Sequence, residues 1–396
     1  MRKILIVGGG QAGLQLALSL RHHDYDVTLM TARTAEELYY GRAVSVQIMH
    51  GNRLGPEREL GLNRWDDDAP TIKGLTVRSA GVPGVLDPFD FTGWYPSPAQ
   101  SIDERLKMSE WMHRFDERGG KTIIHAVTSD DLDGLAPMFD LIVVAAGHSG
   151  LAEMFPVDTE RSPEARGPVP TAMAYVDNVV EGPDHDNVVV DFLPSGAALC
   201  TLPSYAANGP CRLVYFHGGY NATLADWPTR IGAEEHWDRM LAWMRDEVPG
   251  QYDLFAKAGL IDEKAATIDY ATPQVRKPIA ALPCGASVLG MGDTLITVST
   301  SLQQEADNAA VSAERYLQAI LDHGDRPFDE EFMQGAFDAY YDHAQHFSGR
   351  LGTILHSAAP AVLEAFTQAN ADQALADRFA YGFEDPADFA GWLAAD

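Results

Sequence analysis

The chain is poor in cysteine, in basic residues and in long apolar runs. It has three cysteines, Cys200, Cys211 and Cys284, and no C-x-x-C spacing. An odd number without paired spacing argues against a disulfide framework and a zinc site, and it suits a reducing cytoplasm. Lysine and arginine number 29 against 57 aspartates and glutamates, a formal net charge of −28. A surface of that sign repels phosphate backbones and anionic lipid, so nucleic acid and membrane surfaces make poor partners. No apolar run reaches the ~20 residues that a membrane-spanning helix needs. The opening Met1-Arg2-Lys3 and the apolar residues after it look like a signal peptide only until Gly8-Gly9-Gly10 breaks the run. Internal repeats, low-complexity tracts and metal-ligand motifs are also missing.

What is present is a large apolar fraction, 46% of 396 residues, enough for two closely packed domains. Lys3 to Val7 reads as a buried parallel strand. Ala12 to His22 carries leucines at helical spacing, and Asp26 to Met30 reads as a second strand. Strand, glycine turn, helix and strand make a βαβ unit. Residues 34 to 100 are mixed, with punctuation such as Gly81-Val82-Pro83-Gly84. Asp103 to Arg118 reads as a helix, and Thr122 to Ala126 and Asp140 to Ala146 as strands. From Pro168 to Arg276 the pattern turns β-rich, with a helix over Ala233–Glu247. Ser287 to Val298 returns to the first pattern, and Ala306–His323 and the tail from Asp329 are helical.

The turn Gly8-x-Gly10-x-x-Gly13 follows a strand and opens a helix. The first glycine permits the tight turn and the second lets a pyrophosphate approach the backbone. The third lets helix and strand pack closely, with the helix N-terminus facing the phosphates. Gln11 and Ala12, inside the motif, count with the cofactor-binding residues. The acidic residue expected about 20 residues on, where it would bind the ribose hydroxyls, is absent. The second strand ends in Thr31-Ala32-Arg33 instead. The Thr31 hydroxyl can bond ribose more weakly than a carboxylate, and Arg33 lies over adenine, near a phosphate, or in solvent. Two more segments distinguish a flavin dinucleotide from a nicotinamide one. Asp140 to Gly147 has the acidic start and small-residue end of a strand that passes back by the flavin. In Gly290-Met-Gly292-Asp293 the aspartate is placed to accept hydrogen bonds from a ribitol chain. His148 follows Gly147 as a lesser candidate neighbour, and His22-His23 reads as surface. Trp94-Tyr95 and Trp227 read as core, or as the wall of an apolar pocket.

These segments resemble the styrene and indole monooxygenases, the FAD-dependent epoxidase component of two-component systems. The resemblance covers nearly the whole length. It rests on Ile4 to Leu14, Asp26 to Arg33, Gly41-Arg42, Gln100-Ser-Ile-Asp-Glu-Arg-Leu106 and Asp116-Glu-Arg-Gly-Gly-Lys121. Asp140 to Gly147, Gly290 to Asp293 and Asp377-Arg-Phe-Ala-Tyr-Gly-Phe383 complete it. The family shares the missing acid at Thr31. The fold implied is α/β: a Rossmann-type FAD-binding domain of the glutathione-reductase and hydroxybenzoate-hydroxylase kind, a β-rich substrate domain and a helical C-terminus. The expected boundaries are 1–167 plus 277–330, 168–276 and 331–396.

The resemblance implies that reduced FAD arrives from a separate NADH-dependent flavin reductase. Oxygen then adds at the flavin C4a, and the hydroperoxide passes one oxygen atom to a small aromatic or apolar substrate by epoxidation, indole oxidation or sulfoxidation. It also suggests a homodimer. Arg42, Gln100 and Arg105 would line the FAD, Arg105 by neutralising the pyrophosphate or, alternatively, in an intrahelical ion pair. Val127, Ala146, Gly147, Gly292, Gln304 and Asn308 join the cofactor set, and Ser45 and Thr300 are the candidate catalytic residues.

Two departures stand out. The family's Gly-Gln-Gly loop, which opens a helix against the flavin ring, is here Gln303-Gln304-Glu305, and Ser45 replaces an asparagine. Glu305 either satisfies its own helix N-terminus in competition with the flavin or points to solvent. The altered loop leaves open a non-oxygenating binding protein, or a different flavoenzyme such as an oxidase or dehydrogenase.

Overall fold

A computed structural model describes residues 2–393 apart from 82–86, 149, 164–166, 194, 219–223, 225–226, 229, 301–302 and 349–359. Val82, Pro83 and Gly84 of the glycine–proline stretch therefore lie outside the described residues, as do Ser301 and Leu302.

The apolar run Lys3–Val7 is the centre of a six-stranded sheet. Its strands lie in the order Ile279–Ala281, Ser287–Gly290, Leu141–Val144, Lys3–Val7, Asp26–Thr31, Lys121–Ile124. All neighbours are parallel except the antiparallel edge strand Ile279–Ala281. Parallel strands are covered on both faces, which is why Ile4 to Val7 and Leu141 to Val144 are continuously apolar and buried. Helix Gln11–His22 packs on this sheet, with helices Glu104–Glu117 and Glu305–His323 beside it.

The second sheet is antiparallel but for one pair, Thr71–Ser79 with Asn187–Phe192. Alternation along its strands gives it two buried faces. Leu213 and Tyr215 turn into the core shared with the first sheet. Val214 and Phe216 turn instead against Trp237, Met240 and Met244 of helix Ala233–Glu247 and Phe255 of helix Pro249–Phe255.

Two strands of this sheet, Thr71–Ser79 and Phe89–Gln100, come from the stretch that reads as mixed in the sequence. Gly93, Pro96 and Pro98 obscure the second strand, although Phe89, Phe91 and Tyr95 are buried around exposed Asp90 and Trp94 at the period of two that marks a strand. Gly93 has a packing reason. A Cβ there would stand 1.9 Å from the Ala376 carbonyl oxygen, so only glycine lets helix Gln373–Tyr381 lie on the strand. Phe366 of the helical tail then stacks on Phe89, and Phe379 meets Phe91 edge to face.

Candidate functional site

The glycine turn forms one wall of a cleft of about 400 Å³. Gly8 has φ 126°, and a Cβ on it would lie 1.9 Å from the Ala145 carbonyl oxygen; one on Gly13 would lie 2.2 Å from the Gly8 carbonyl oxygen. Helix and strand therefore touch through backbone. Gly10 caps helix Gln11–His22 without a side-chain hydrogen bond, and the first turn holds no acidic residue. The leading N–H groups are left to face the cleft with the positive end of the helix dipole. A Cβ on Gly10 would have a single heavy atom within 4 Å, Glu104 Oε1 at 3.8 Å, so the approach to the backbone is open.

The cleft gathers Gly8, Gly10, Thr31, Ala32, Arg33, Arg42, Arg105, Val127, Ala146 and Gly147. Thr31 is buried at its strand end, with Oγ1 2.8 Å from where a Gly9 Cβ would stand. Ala12 packs under Gly292, which has φ 59°. The Gln11 side chain turns away: its Nε2 donates to Gln15 Oε1 at 2.8 Å and to Glu57 Oε1 at 3.0 Å. Glu57 in turn holds Lys107 in a buried ion pair of 2.7 Å. Gln11 can therefore offer the cleft its backbone alone.

Arg105 lines the cleft, but its guanidinium is engaged. It pairs with Asp103 at 2.7 Å and Asp262 at 2.9 Å and donates to the Gly41 carbonyl at 3.2 Å. Burial opposes its charge, and the two carboxylates outweigh burial and raise its pKa. The ion pair joins helix Glu104–Glu117 to the 262 turn. Gln100 is not brought to the cleft. Its Nε2 donates to the Trp65 carbonyl at 3.2 Å and its Oε1 accepts from Asn63 at 2.9 Å.

Two residues escape the sequence reading. Glu104 lines the cleft beside Gly10, accepts the Ser45 hydroxyl, and has its pKa raised, chiefly by burial. Its position in the first turn, after the N-cap Asp103, looks in sequence like an ordinary helix-start acid. Thr294 is fully buried. Its hydroxyl accepts the Ala146 N–H at 3.0 Å and donates to the Gly147 carbonyl at 3.1 Å, locking the end of one strand to the Gly292–Thr294 turn. Ser45 also accepts from Gln47 at 3.1 Å, so it is held between Gln47 and Glu104.

The start of helix Glu305–His323 is filled by its own side chains. The Glu305 carboxylate accepts the backbone N–H groups of Glu305 and Gln304 and the Thr300 hydroxyl. Burial pushes its pKa up to about 7 against these bonds, and nearby Asp269 adds to the rise. Asp293 is likewise pushed up to about 7 by burial, with Glu305, Glu104 and Asp269 adding to the rise and His148 opposing it. One oxygen of Asp293 is buried without a hydrogen-bond partner among the described residues. Gln303 has φ 53°, the left-handed conformation that glycine adopts without strain. Gln304 donates to the Phe383 carbonyl at 2.8 Å, and Asn308 donates to the Ile296 carbonyl at 3.4 Å.

His148 stands 3.8 Å from Asp269, and His22 and His23 are exposed. Trp94 is 49% exposed and Tyr95 buried. Among the described residues no group of three or more His, Cys, Asp or Glu could hold a metal ion, and no helix is long and apolar enough to cross a membrane.

Comparison with known proteins finds similarity over nearly the whole chain. Residues 147–253 match the family model described as "Styrene monooxygenase A putative substrate binding domain". Styrene monooxygenase StyA of Pseudomonas fluorescens is 28% identical over 395 residues, covering 97% of this chain and 93% of that protein. Among solved structures, the flavin-dependent brominase Bmp2 superposes with a TM-score of 0.64 at 13% identity, covering 98% of this chain and 92% of the brominase. A tetrameric 2-methyl-3-hydroxypyridine-5-carboxylic acid oxygenase gives a TM-score of 0.55 at 16% identity, covering 96% of this chain and 94% of the oxygenase. At these identities the solved structures speak for the fold alone, a Rossmann-type flavoprotein fold. The fold of the solved structures and the similarity to curated monooxygenases point the same way. Over nearly its whole length the chain is thus similar to styrene monooxygenases, and over residues 147–253 to their substrate-binding domain.

Proposed function

We propose that this chain binds FAD in the glycine-walled cleft, receives it reduced from a separate NADH-dependent flavin reductase, and places one oxygen atom from O2 on a small aromatic or apolar substrate. The uncapped N-terminus of helix Gln11–His22 above the open Gly10 backbone carries this reading. Its N–H groups fit a pyrophosphate. The Thr31 hydroxyl fits the ribose, and the unpartnered Asp293 oxygen fits a ribitol hydroxyl as donor. A ribose held by a neutral hydroxyl in place of a carboxylate is held loosely, which suits a cofactor that is exchanged with another protein.

When bound, reduced FAD supplies oxygen activation and transfer. The protein's own residues bind, orient and exclude water. The FAD part would comprise 1–167 and 277–330, with the substrate part over 168–276 and a helical 331–396 closing the fold. The substrate would sit on the side of the second sheet that faces the first, with Ser45 and Thr300 as the polar groups nearest the chemistry. Asn308 would lie on the cofactor side. The free thiols Cys200, Cys211 and Cys284 suit a cytoplasmic home, and a homodimer is the expected assembly.

The test is an anaerobic titration of the purified chain with reduced and oxidised FAD, together with an NADH oxidation assay. Tighter binding of reduced FAD, and no NADH consumption by the chain plus FAD, is the expected result. Rapid NADH oxidation without a reductase overturns the two-component reading.

The self-satisfied Glu305 favours a second reading, a flavoenzyme that oxidises its flavin without oxygenating a substrate. Stoichiometric hydrogen peroxide with no oxygenated product would select it.

A further inference from the structure

Arg212 lies on the outer face of the second sheet, away from the flavin cleft. A cavity of about 380 Å³ opens there between the sheet, the 178–186 connection and helix Pro249–Phe255. Val176, Val189 and Pro203 lie along its floor, and Leu254 and Phe255 along one wall. None of the residues lining it lines the flavin cleft. A volume of this size falls within the range of small-molecule sites, roughly 300–1,000 Å³.

The guanidinium of Arg212 is poorly satisfied. It donates to the His185 carbonyl and, at a long 3.4 Å, to the Thr201 hydroxyl, while Nε is buried without a partner. Burial depresses its pKa to about 10, and Asp186 offsets this only in part. The carboxylates around it are engaged elsewhere. Asp184 pairs with Arg78, Asp186 pairs with Lys73 at 2.5 Å, and Asp177 accepts from Asn178 at 2.7 Å. Asp191 accepts from Gln251 at 3.0 Å and is pushed up to about 6 by burial. Glu181 is exposed at the rim. Arg212 is thus a largely buried cation with no ion pair among the described residues, an arrangement that costs stability unless an anion completes it. A guanidinium presents its free N–H groups as a planar fork that matches a carboxylate.

We propose that this cavity binds a small monocarboxylate with an apolar body, the carboxylate on Arg212 and the body against Val176, Pro203, Leu254 and Phe255. The acidic rim, with Asp177 and Glu181, disfavours dianions such as phosphate esters, and the apolar wall disfavours acetate-sized ions. The site is independent of flavin binding, so it stands or falls apart from the proposed monooxygenase reaction.

Isothermal titration of the flavin-free chain with benzoate tests it, with benzamide as the neutral isostere. Saturable one-site binding of benzoate is expected, with benzamide weaker. Arg212→Met, which keeps the aliphatic stem, should weaken benzoate by roughly tenfold or more, as loss of a charge-assisted bidentate contact does. Arg212→Lys, which keeps the charge and loses the fork, should fall between. A thermal melt confirms that each variant is folded. No saturable benzoate binding to the parent chain, benzamide binding as tightly as benzoate, or an affinity unchanged in folded Arg212→Met would each overturn the proposal.

Discussion

Two helices of this protein begin at positions that the family resemblance assigns to the cofactor, and they begin differently. Helix Gln11–His22 starts bare: Gly10 gives no side-chain cap, and the first turn has no acid. Helix Glu305–His323 starts occupied, with Glu305 and Asp307 in its first turn and the Glu305 carboxylate on its own leading N–H groups. A helix N-terminus carries about half a positive charge. In the first helix that charge is available to a phosphate; in the second the part-ionised Glu305 carboxyl already offsets some of it. The dinucleotide end of the site is thus ready for an anion. The ring end must displace or protonate Glu305 before an anionic flavin can use the same dipole. Gln303 sharpens the contrast, because the backbone there keeps glycine's left-handed conformation at φ 53° without having glycine.

The largest effect should come from closing the bare end. Gly13→Val sets a branched side chain where even a Cβ would stand 2.2 Å from the Gly8 carbonyl oxygen. Helix and strand must separate, at a cost of about 3 kcal/mol. FAD binding should fall below detection in calorimetry even where circular dichroism reports a folded chain. Normal affinity in Gly13→Val would mean that the bare helix is not the phosphate site.

Opening the occupied end should have a smaller effect of opposite sign. Gln303→Gly with Glu305→Gly relieves left-handed strain, of order 1 kcal/mol, and exposes the N–H groups of helix Glu305–His323. Reduced FAD should then bind more tightly by about 1 kcal/mol, roughly fivefold. Anaerobic titration reads this directly. Unchanged affinity in a folded double variant would show that the two helix ends do not differ in what they hold, and that the loop serves another ligand.

The contrast also explains what could be read from the sequence. The bare end was legible because close backbone contact leaves glycines at fixed spacing, and Gly8, Gly10 and Gly13 record it after a run of strand residues. The occupied end was legible as a departure, with Glu305 capping its own helix as one of two outcomes, but the sequence could not choose between them. The burial that raises the pKa of Glu305, and the approach of Asp269 and Asp293 to it, exist only in the fold. Glu104 and Thr294 escaped for the same reason: each acts on residues about 60 to 150 positions away. Arg105 looked like a phosphate ligand or an ion-pair residue, and Asp262, distant in sequence, engages it. The strands Thr71–Ser79 and Phe89–Gln100 were lost among glycines and prolines that make sense only once Gly93 meets the helical tail.

The smallest effect, and the finest test of the contrast, is in the pH dependence of stability. Glu305 and Asp293 titrate near 7 in the folded chain, well above 4.5 and 3.8, their ordinary values. Between those limits the folded state binds more protons than the unfolded state, so stability must fall as pH rises. The direction is opposite to that of a salt-bridged carboxylate. The penalty is absent below the ordinary values, grows through pH 5 to 7 and is complete above about 7. Solvent reaching the site screens part of it, leaving on the order of 1 kcal/mol per group. The melting temperature of the flavin-free chain should therefore drop between pH 5.5 and 8, and Glu305→Gln should flatten that slope while keeping the carboxamide on the helix N-terminus. The bare helix has no such group in its first turn, so Gln11→Ala should leave the slope as it is while weakening the contact with Glu57. A parent chain whose melting temperature rises from pH 5.5 to 8, or a Glu305→Gln variant with an unchanged slope, would mean that Glu305 sits in solvent and that both helix ends are open to the cofactor alike.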